Sequence, residues 1–194
     1  MQTTLLADLP LTTTSYGDSP YQSFSARAGN PNFIDFAELI EAGYLEQRDI
    51  DGVYLGSDPS NVDYGAIFGG RRQILDRAAE RFAADKPADF DDFIQANEDW
   101  LIPYCEFMTV KEECSLKAFW EWPAELRTRG EASAKVCADH PARMLYHQMT
   151  QYFFDRQWGR LKAYANERDI LIIGDLPIYV SRDSVEMWAT PELF

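Results

Sequence analysis

The 194 residues hold few cysteines, few histidines and few positive charges: three Cys, two His and 18 Lys plus Arg, against 32 Asp plus Glu. Each shortage excludes something. Cys105, Cys114 and Cys137 are odd in number, and their spacings match no zinc pattern. Reduced thiols in a cytoplasmic protein are the simplest reading. His140 and His147 have no cysteine or carboxylate at metal-ligand spacing, so no metal and no cofactor are expected. A net charge of −14 repels phosphate backbones and anionic lipid surfaces, which argues against nucleic acid and membrane as partners. Neutral ligands such as sugars stay open. No stretch approaches the roughly 20 apolar residues of a membrane span. Met1 to Pro10 has no basic flank and no long apolar core, so no signal peptide is visible. GxSxG, P-loop and GxGxxG motifs are absent.

Apolar residues are plentiful at 46%, too many for a disordered chain. Aromatic residues reach 14%, which serves either a ring-rich core or a platform for sugar faces. Leu5 to Tyr21 reads as a strand end passing into a surface loop that continues through SFSARAGNPN. Loops of this length are uncommon in compact domains and often functional. Phe36, Leu39 and Ile40 predict a short helix with Gly43 as its C-cap. Residues 46–61 are polar, with Asp51-Gly52 and Asp58-Pro59 as breakers. Residues 62–84 predict a helix with Tyr64, Phe68, Leu75, Ala79 and Phe82 near one stripe, although Gly69-Gly70 weakens its middle. Pro87 predicts the first position of another helix, which carries Phe90, Phe93 and Ile94. Trp100 to Cys114 continues in helical style, with Pro103 marking a new first turn, and the AFWEWP segment breaks at Pro123.

The longest helix candidate runs from about Pro141 to Glu167. Its stripe is Leu145, Met149, Tyr152, Phe153, Gln157, Leu161 and Tyr164. Leu171, Ile172 and Ile173 then read as a strand buried on both faces, so helix and strand suggest part of a parallel sheet. The end, RDSVEMWATPELF, predicts a short helical turn. Two such strands close no barrel. The chain is therefore either mostly helical or lacks sheet partners.

Several positions could carry chemistry. Asp175 follows Gly174 at the end of the second strand, where it can bind sugar hydroxyls or cap the next turn. The loop Tyr16 to Ser23 offers Tyr21 as a stacking ring and Asp18, Ser19 and Gln22 as polar partners. The competing reading is an Asx-type turn at Asp18. Asp183 and Glu186 could form an acid–base pair, but Asp183 is better read as an N-cap. Trp120 and Trp122 either flank a groove or anchor a core, and His147 reads as a packed or half-exposed residue on the long helix.

Four segments carry a family resemblance. Leu9 to Leu45 contains SPYQSFSARAGNPNFID, and Val62-Asp63-Tyr64 precedes a helix. Trp120 stands beside Trp122-Pro123, and Gln151 to Phe194 contains ILIIGDLPIYVSRDSVEMW. In this order and spacing they resemble the 4-α-glucanotransferases of the amylomaltase (disproportionating enzyme) type. The resemblance implies an α/β fold: a partial (β/α)8 TIM barrel with long helical insertions, mostly helical in this stretch. Residues 1–45 would be the second barrel strand's end and the substrate loop. Residues 46–140 would be a helical insertion, and residues 141–194 a barrel helix, the third strand and its loop. It implies retaining transfer of α-1,4-glucan segments to a glucan or glucose 4-hydroxyl, with maltooligosaccharides and glucose as partners. Tyr21 would stack on the sugar and Asp175 would bind it, with Asp18, Ser19 and Gln22 on the same loop. Asp183 and Trp188 would fall in the loop after the third strand. No RxDHxRG-, EDLG- or THD-like segment is present, so no catalytic residue is assigned and the chain alone is expected to be inactive. The uncovered sheet edge predicts self-association. A non-catalytic glucan-binding module and a helical interaction protein remain as alternatives.

Overall fold

The computed structural model describes residues 4–58, 60–175 and 177–194. Pro59, one half of the Asp58-Pro59 breaker, and Leu176 therefore lie outside the described residues. Strand β1 (Thr4–Ala7) pairs in parallel with β2 (Ile170–Ile173), with Leu5 opposite Leu171 and Ala7 opposite Ile173. Among the described residues everything else is loop or helix, apart from a single antiparallel bridge between Thr12 and Gly29. In chain order the α-helices are α1 (Phe36–Glu41), α2 (Gln47–Ile50), α3 (Tyr64–Ala84), α4 (Phe90–Ala96), α5 (Glu98–Glu113), α6 (Glu131–Asp139), α7 (Pro141–Asn166) and α8 (Val185–Ala189). The chain is thus mostly helical, with one small parallel sheet among the described residues.

Helix α7 is the hub: it packs against α3, α4, α5 and α6 and reaches β2. Its N-terminal half buries Met149, Tyr152 and Phe153 against Leu39 of α1, Ile74, Leu75 and Phe82 of α3 and Phe90 of α4. Phe82 lies at the centre of a ring cluster, 4.9 Å from Phe90 and 5.7 Å from Phe153. Aromatic enrichment therefore supplies a core first. A second core joins Phe107 and Val110 of α5, Trp122, Cys137 of α6, and Val185 and Trp188 of α8.

The structure corrects several expectations. Tyr64 and Phe68 leave the stripe on α3 and are half exposed; Gly70, Ile74, Leu75, Ala78 and Phe82 form its buried face. The Gly69-Gly70 pair lies within a continuous α3, and Gly70 makes room for its neighbours, since a side chain there would meet the carbonyl of Tyr54 at 2.7 Å and Leu55 at 2.6 Å. The glycine lets the segment after α2 lie on the helix. Pro87 opens a turn, and α4 starts three residues later at Phe90. Pro103 lies inside α5, which starts at Glu98 because Asn97 ends α4 and begins α5. Burial of Leu101, Tyr104 and Cys105 offsets the missing N–H and keeps Pro103 within the helix. Helices α2 and α6 had no periodic stripe long enough to be read. A reciprocal cap defines α2, with Glu46 N–H donating to Asp49 at 2.8 Å. Gly43 does follow α1, donating to Ile40 O at 2.9 Å.

The strand expectation also changes. Leu171 and Ile173 are each 50% exposed rather than buried on both faces. Parallel register places Leu5 and Ala7 beside them on the same face, and all of β1 is exposed. Leu161 and Tyr164, the C-terminal part of the α7 stripe, are open too, at 55% and 56%. A parallel sheet is stable when both faces are covered. Here no described element covers this one.

The long loop between β1 and α1 is not free. It closes on itself through Thr13 N–H to Ala28 O at 3.2 Å and Asn30 N–H to Leu11 O at 2.9 Å. Two glutamines of α7 then hold it. The Gln151 amide accepts from Gly29 N–H at 2.8 Å and donates to Gly29 O at 3.0 Å. Gln157 repeats this with Asp35, at 2.7 and 3.0 Å. Each side-chain amide does the work of a strand neighbour. Gly29 must be glycine, because a Cβ there would enter the Phe154 ring. Gln151 is 1% exposed, so Gln151→Ala leaves two buried backbone groups unpaired. The expected loss is about 2–4 kcal/mol in urea unfolding. Gln157→Ala, at a hydrated site, should lose less than about 1 kcal/mol in the same measurement.

Candidate functional site

The loop and the strand tip meet. The Tyr21 hydroxyl donates to Asp175 Oδ2 at 2.6 Å, across 154 residues of sequence. Both residues are exposed. The bond to Asp175 raises the Tyr21 pKa, with burial and the carboxylate charge adding to it. Asp175 thus reaches across to the loop. The turn in the loop is closed by Ser19, whose Oγ accepts from Tyr21 N–H at 3.3 Å, and not by an Asx-type bond at Asp18. Asp18 itself sits at φ 54° as the last residue of a short 3-10 turn, Tyr16–Asp18. Gln22 accepts from Ser181 Oγ at 3.4 Å, which links the loop to the segment after β2.

Beside this pair lies a cleft of about 780 Å³. Asp18 and Gln22 line it from the loop, Tyr64 and Phe68 from α3, and Trp120 and Arg182 from the far side. Tyr21, Ser19 and Asp175 do not line it. The five residues picked from the sequence therefore share one loop and strand tip but face two neighbouring surfaces. The two tryptophans divide. Trp122 is a core anchor, 1% exposed, with its indole N–H on Lys117 O at 2.8 Å. Trp120 is 37% exposed and carries the Arg182 guanidinium over its ring at 4.4 Å.

The floor of the cleft is charged. Glu112 of α5 receives Arg143 of α7 at 2.6 and 3.0 Å and Arg72 of α3 at 2.9 Å, and His147 Nε2 lies 3.1 Å from it. Arg143 also reaches Asp76 of α3 at 2.6 Å. Burial opposes the Glu112 charge, but hydrogen bonds and charges from His147 and Arg143 outweigh it and bring its pKa down to about 2. Burial lowers the His147 pKa, and Arg143 and Arg72 add to this against the pull of Glu112. His147 is packed inside the protein rather than half exposed.

Asp183 is not the N-cap of α8; Ser184 takes that position. Asp183 instead accepts from Lys111 Nζ at 2.6 Å and Phe119 N–H at 3.2 Å. Lys111 is 1% exposed, and its ammonium lies 4.7 Å from the Phe24 ring centre. Burial lowers its pKa while Asp183 supports the charge. Glu186 bonds to the loop at Ala26 N–H, so Asp183 and Glu186 serve separate partners and make no acid–base pair. Sequence reading missed Gln151, Lys111 and the Glu112–Arg143 pair. Their signal is a polar residue on an otherwise apolar helical stripe, which periodicity discards as noise.

An acid at a strand end, a ring bonded to it from a long loop, and an adjoining cleft walled by rings lie together on a mostly helical scaffold with one small parallel sheet. The comparisons make this specific. A family profile described as 4-alpha-glucanotransferase matches residues 1–194. The chain belongs to the 4-alpha-glucanotransferase family. It is 50% identical over 189 residues to the 4-alpha-glucanotransferase of Streptococcus pneumoniae, covering 96% of this chain and 37% of that protein. It is 40% identical over 191 residues to the Thermus thermophilus protein of the same description, covering 96% and 37%. The solved structure of an amylomaltase from Streptococcus agalactiae in complex with acarbose superposes with a TM-score of 0.92 at 47% identity, covering 98% of this chain and 39% of that one. The chain thus spans under two-fifths of the length of these relatives.

The charged floor sets the acid response. Glu112 is held below its ordinary 4.5, so its contribution is present above that pH and is lost as pH falls towards about 2. His147 is held below 6.5, so protonation of the unfolded chain also lowers stability as pH falls below that value. Both effects have the same sign. Urea midpoints should fall steadily from pH 6.5 downward. In Glu112→Gln the fall below pH 4.5 should be shallower, by on the order of 3 kcal/mol.

Proposed function

We propose that this chain forms the sugar-facing part of a 4-α-glucanotransferase, with Tyr21 stacking on a glucose unit and Asp175 binding its hydroxyls. The reading rests on the 2.6 Å bond that brings the ring and the strand-end carboxylate together. A tyrosine face is apolar and a carboxylate accepts hydroxyl protons, which suits the two sides of a sugar ring. Asp18 and Gln22 extend the polar lining into the cleft, and Ser19 shapes the turn that presents Tyr21. The reaction is retaining transfer of an α-1,4-glucan segment to a 4-hydroxyl of glucan or glucose. It needs two carboxylates about 5 Å apart. We assign neither to a residue of this chain.

In this reading residues 1–45 supply the second strand and the substrate loop of a (β/α)8 barrel. Residues 46–140 are a helical insertion, and residues 141–194 supply a barrel helix, the third strand and its loop. The half-exposed Leu171 and Ile173 support this, since barrel strands are covered on both sides. The same bare face supports self-association of the chain on its own. Three free cysteines fit a cytoplasmic setting.

Titration of the labelled chain with acarbose and with maltoheptaose, followed by amide NMR, tests the site. Tyr21→Ala and Asp175→Ala should each weaken binding at least tenfold, about 1.4 kcal/mol. Binding that both variants leave intact would place the sugar elsewhere. Maltotriose incubated with the chain should give no longer or shorter products. Sedimentation should show association that Leu171→Lys abolishes.

A further inference from the structure

We infer that Glu186 is a positioning residue that holds the loop carrying Tyr21 against the strand end carrying Asp175. The inference rests on the proposed sugar site for its functional meaning, and on geometry for its substance.

Tyr21 lies in the loop after β1 and Asp175 two residues past β2, so the β1–β2 pairing, with Asp8 N–H donating to Ile173 O at 3.0 Å, joins the two segments only at their roots. No described helix or strand lies between β1 and Tyr21 other than a short 3-10 turn, and α8 is the first helix after Asp175. Beyond that pairing, and among the described residues, most of the backbone and side-chain hydrogen bonds between the two segments lie at α8. Val185 N–H donates to Phe24 O at 2.9 Å. Glu186 Oε1 accepts from Ala26 N–H at 2.8 Å and from Ser25 Oγ at 3.3 Å. Ser25 Oγ in turn accepts from Arg27 N–H at 3.1 Å and Ala28 N–H at 3.2 Å. One carboxylate oxygen thus gathers four consecutive loop residues. The remaining tie, Ser181 to Gln22, is long at 3.4 Å.

Glu186 is itself fixed. Its neighbour Trp188 is fully buried and bonded through its indole N–H to Leu126 O at 2.8 Å. Glu186 Oε2 is buried without a hydrogen-bond partner, so half the carboxylate gains nothing from its place. The half that does is the half on the loop. A bond as short as that of Tyr21 to Asp175 between exposed groups needs such an anchor, because ordering two loops for one contact is unfavourable.

The test reads the Tyr21–Asp175 bond without sugar. Carbon-13 at tyrosine Cζ is followed through the phenol titration, with Tyr21→Phe giving the assignment. Asp175→Asn sets the midpoint of the phenol once the carboxylate is lost. Glu186→Ala should move the Tyr21 midpoint down by at least half of the Asp175→Asn shift, with Tyr44 and Tyr152 unmoved. Glu186→Gln keeps an acceptor at Oε1 and should stay within a quarter of the parent value. If Glu186→Ala does not fold, Glu186→Asp decides: it keeps the charge, falls one methylene short of Ala26, and should shift as the alanine would. A folded Glu186→Ala or Glu186→Asp with an unmoved Tyr21 overturns the inference. So does a glutamine variant that shifts as far as alanine, or a shift shared equally by Tyr44 and Tyr152. If acarbose fails to bind while Glu186 still governs Tyr21, the sugar reading falls and the positioning role stands.

Discussion

The two hydrogen bonds between the Gln151 amide and Gly29 are the contact on which the rest depends. The loop between β1 and α1 carries a long run of backbone that no sheet satisfies. Buried peptide groups need partners, and here a helix side chain provides them. Gln157 does the same further along the helix for Asp35. Because α7 is also the hub of the helical core, the loop inherits the rigidity of that core. Tyr21 is presented from a segment without regular structure, whose far end at Gly29 and Asp35 is held by a 26-residue helix.

Charge is distributed in the same spirit. The chain is strongly acidic, but several of its basic residues join one helix to another. Glu112 binds three partners from two other helices, and Lys111 ties α5 to the segment after β2. Such buried ions contribute little net stability compared with apolar packing. They do fix which helix faces which, and thereby the shape of the cleft they floor. Removing one partner leaves an uncompensated charge, so the arrangement tolerates few alternatives.

The bare sheet follows a different logic. Leu5, Leu171 and Ile173 are apolar at positions where a two-stranded sheet exposed to water has no use for them. Local sequence here agrees with a deeper burial than the described residues provide. Among the described residues the strand β1 is exposed throughout and Leu171 and Ile173 of β2 are half exposed. The helical part, by contrast, closes its own cores.

The sequence alone determined the elements whose signal is local and repeated. The long helix from Pro141, the short helix closed by Gly43, the strand at Leu171 to Ile173 and the helix beginning near Val62 were all legible, because apolar period and caps act within a few residues. Tyr21 and Asp175 were singled out by family resemblance and by their loop and strand-end positions, not by any sign that they touch. Tertiary structure decided the rest. It sent Trp122 inward and Trp120 to the cleft, kept Pro103 inside a helix, took Tyr64 and Phe68 off the core and turned Asp183 towards Lys111. It also made Gln151 and Glu186 into loop anchors. In each case the outcome depends on a partner more than 15 residues away or on a packed neighbour. A side chain's local pattern cannot encode that partner, because the same residue type is satisfied equally well by water until the fold removes it.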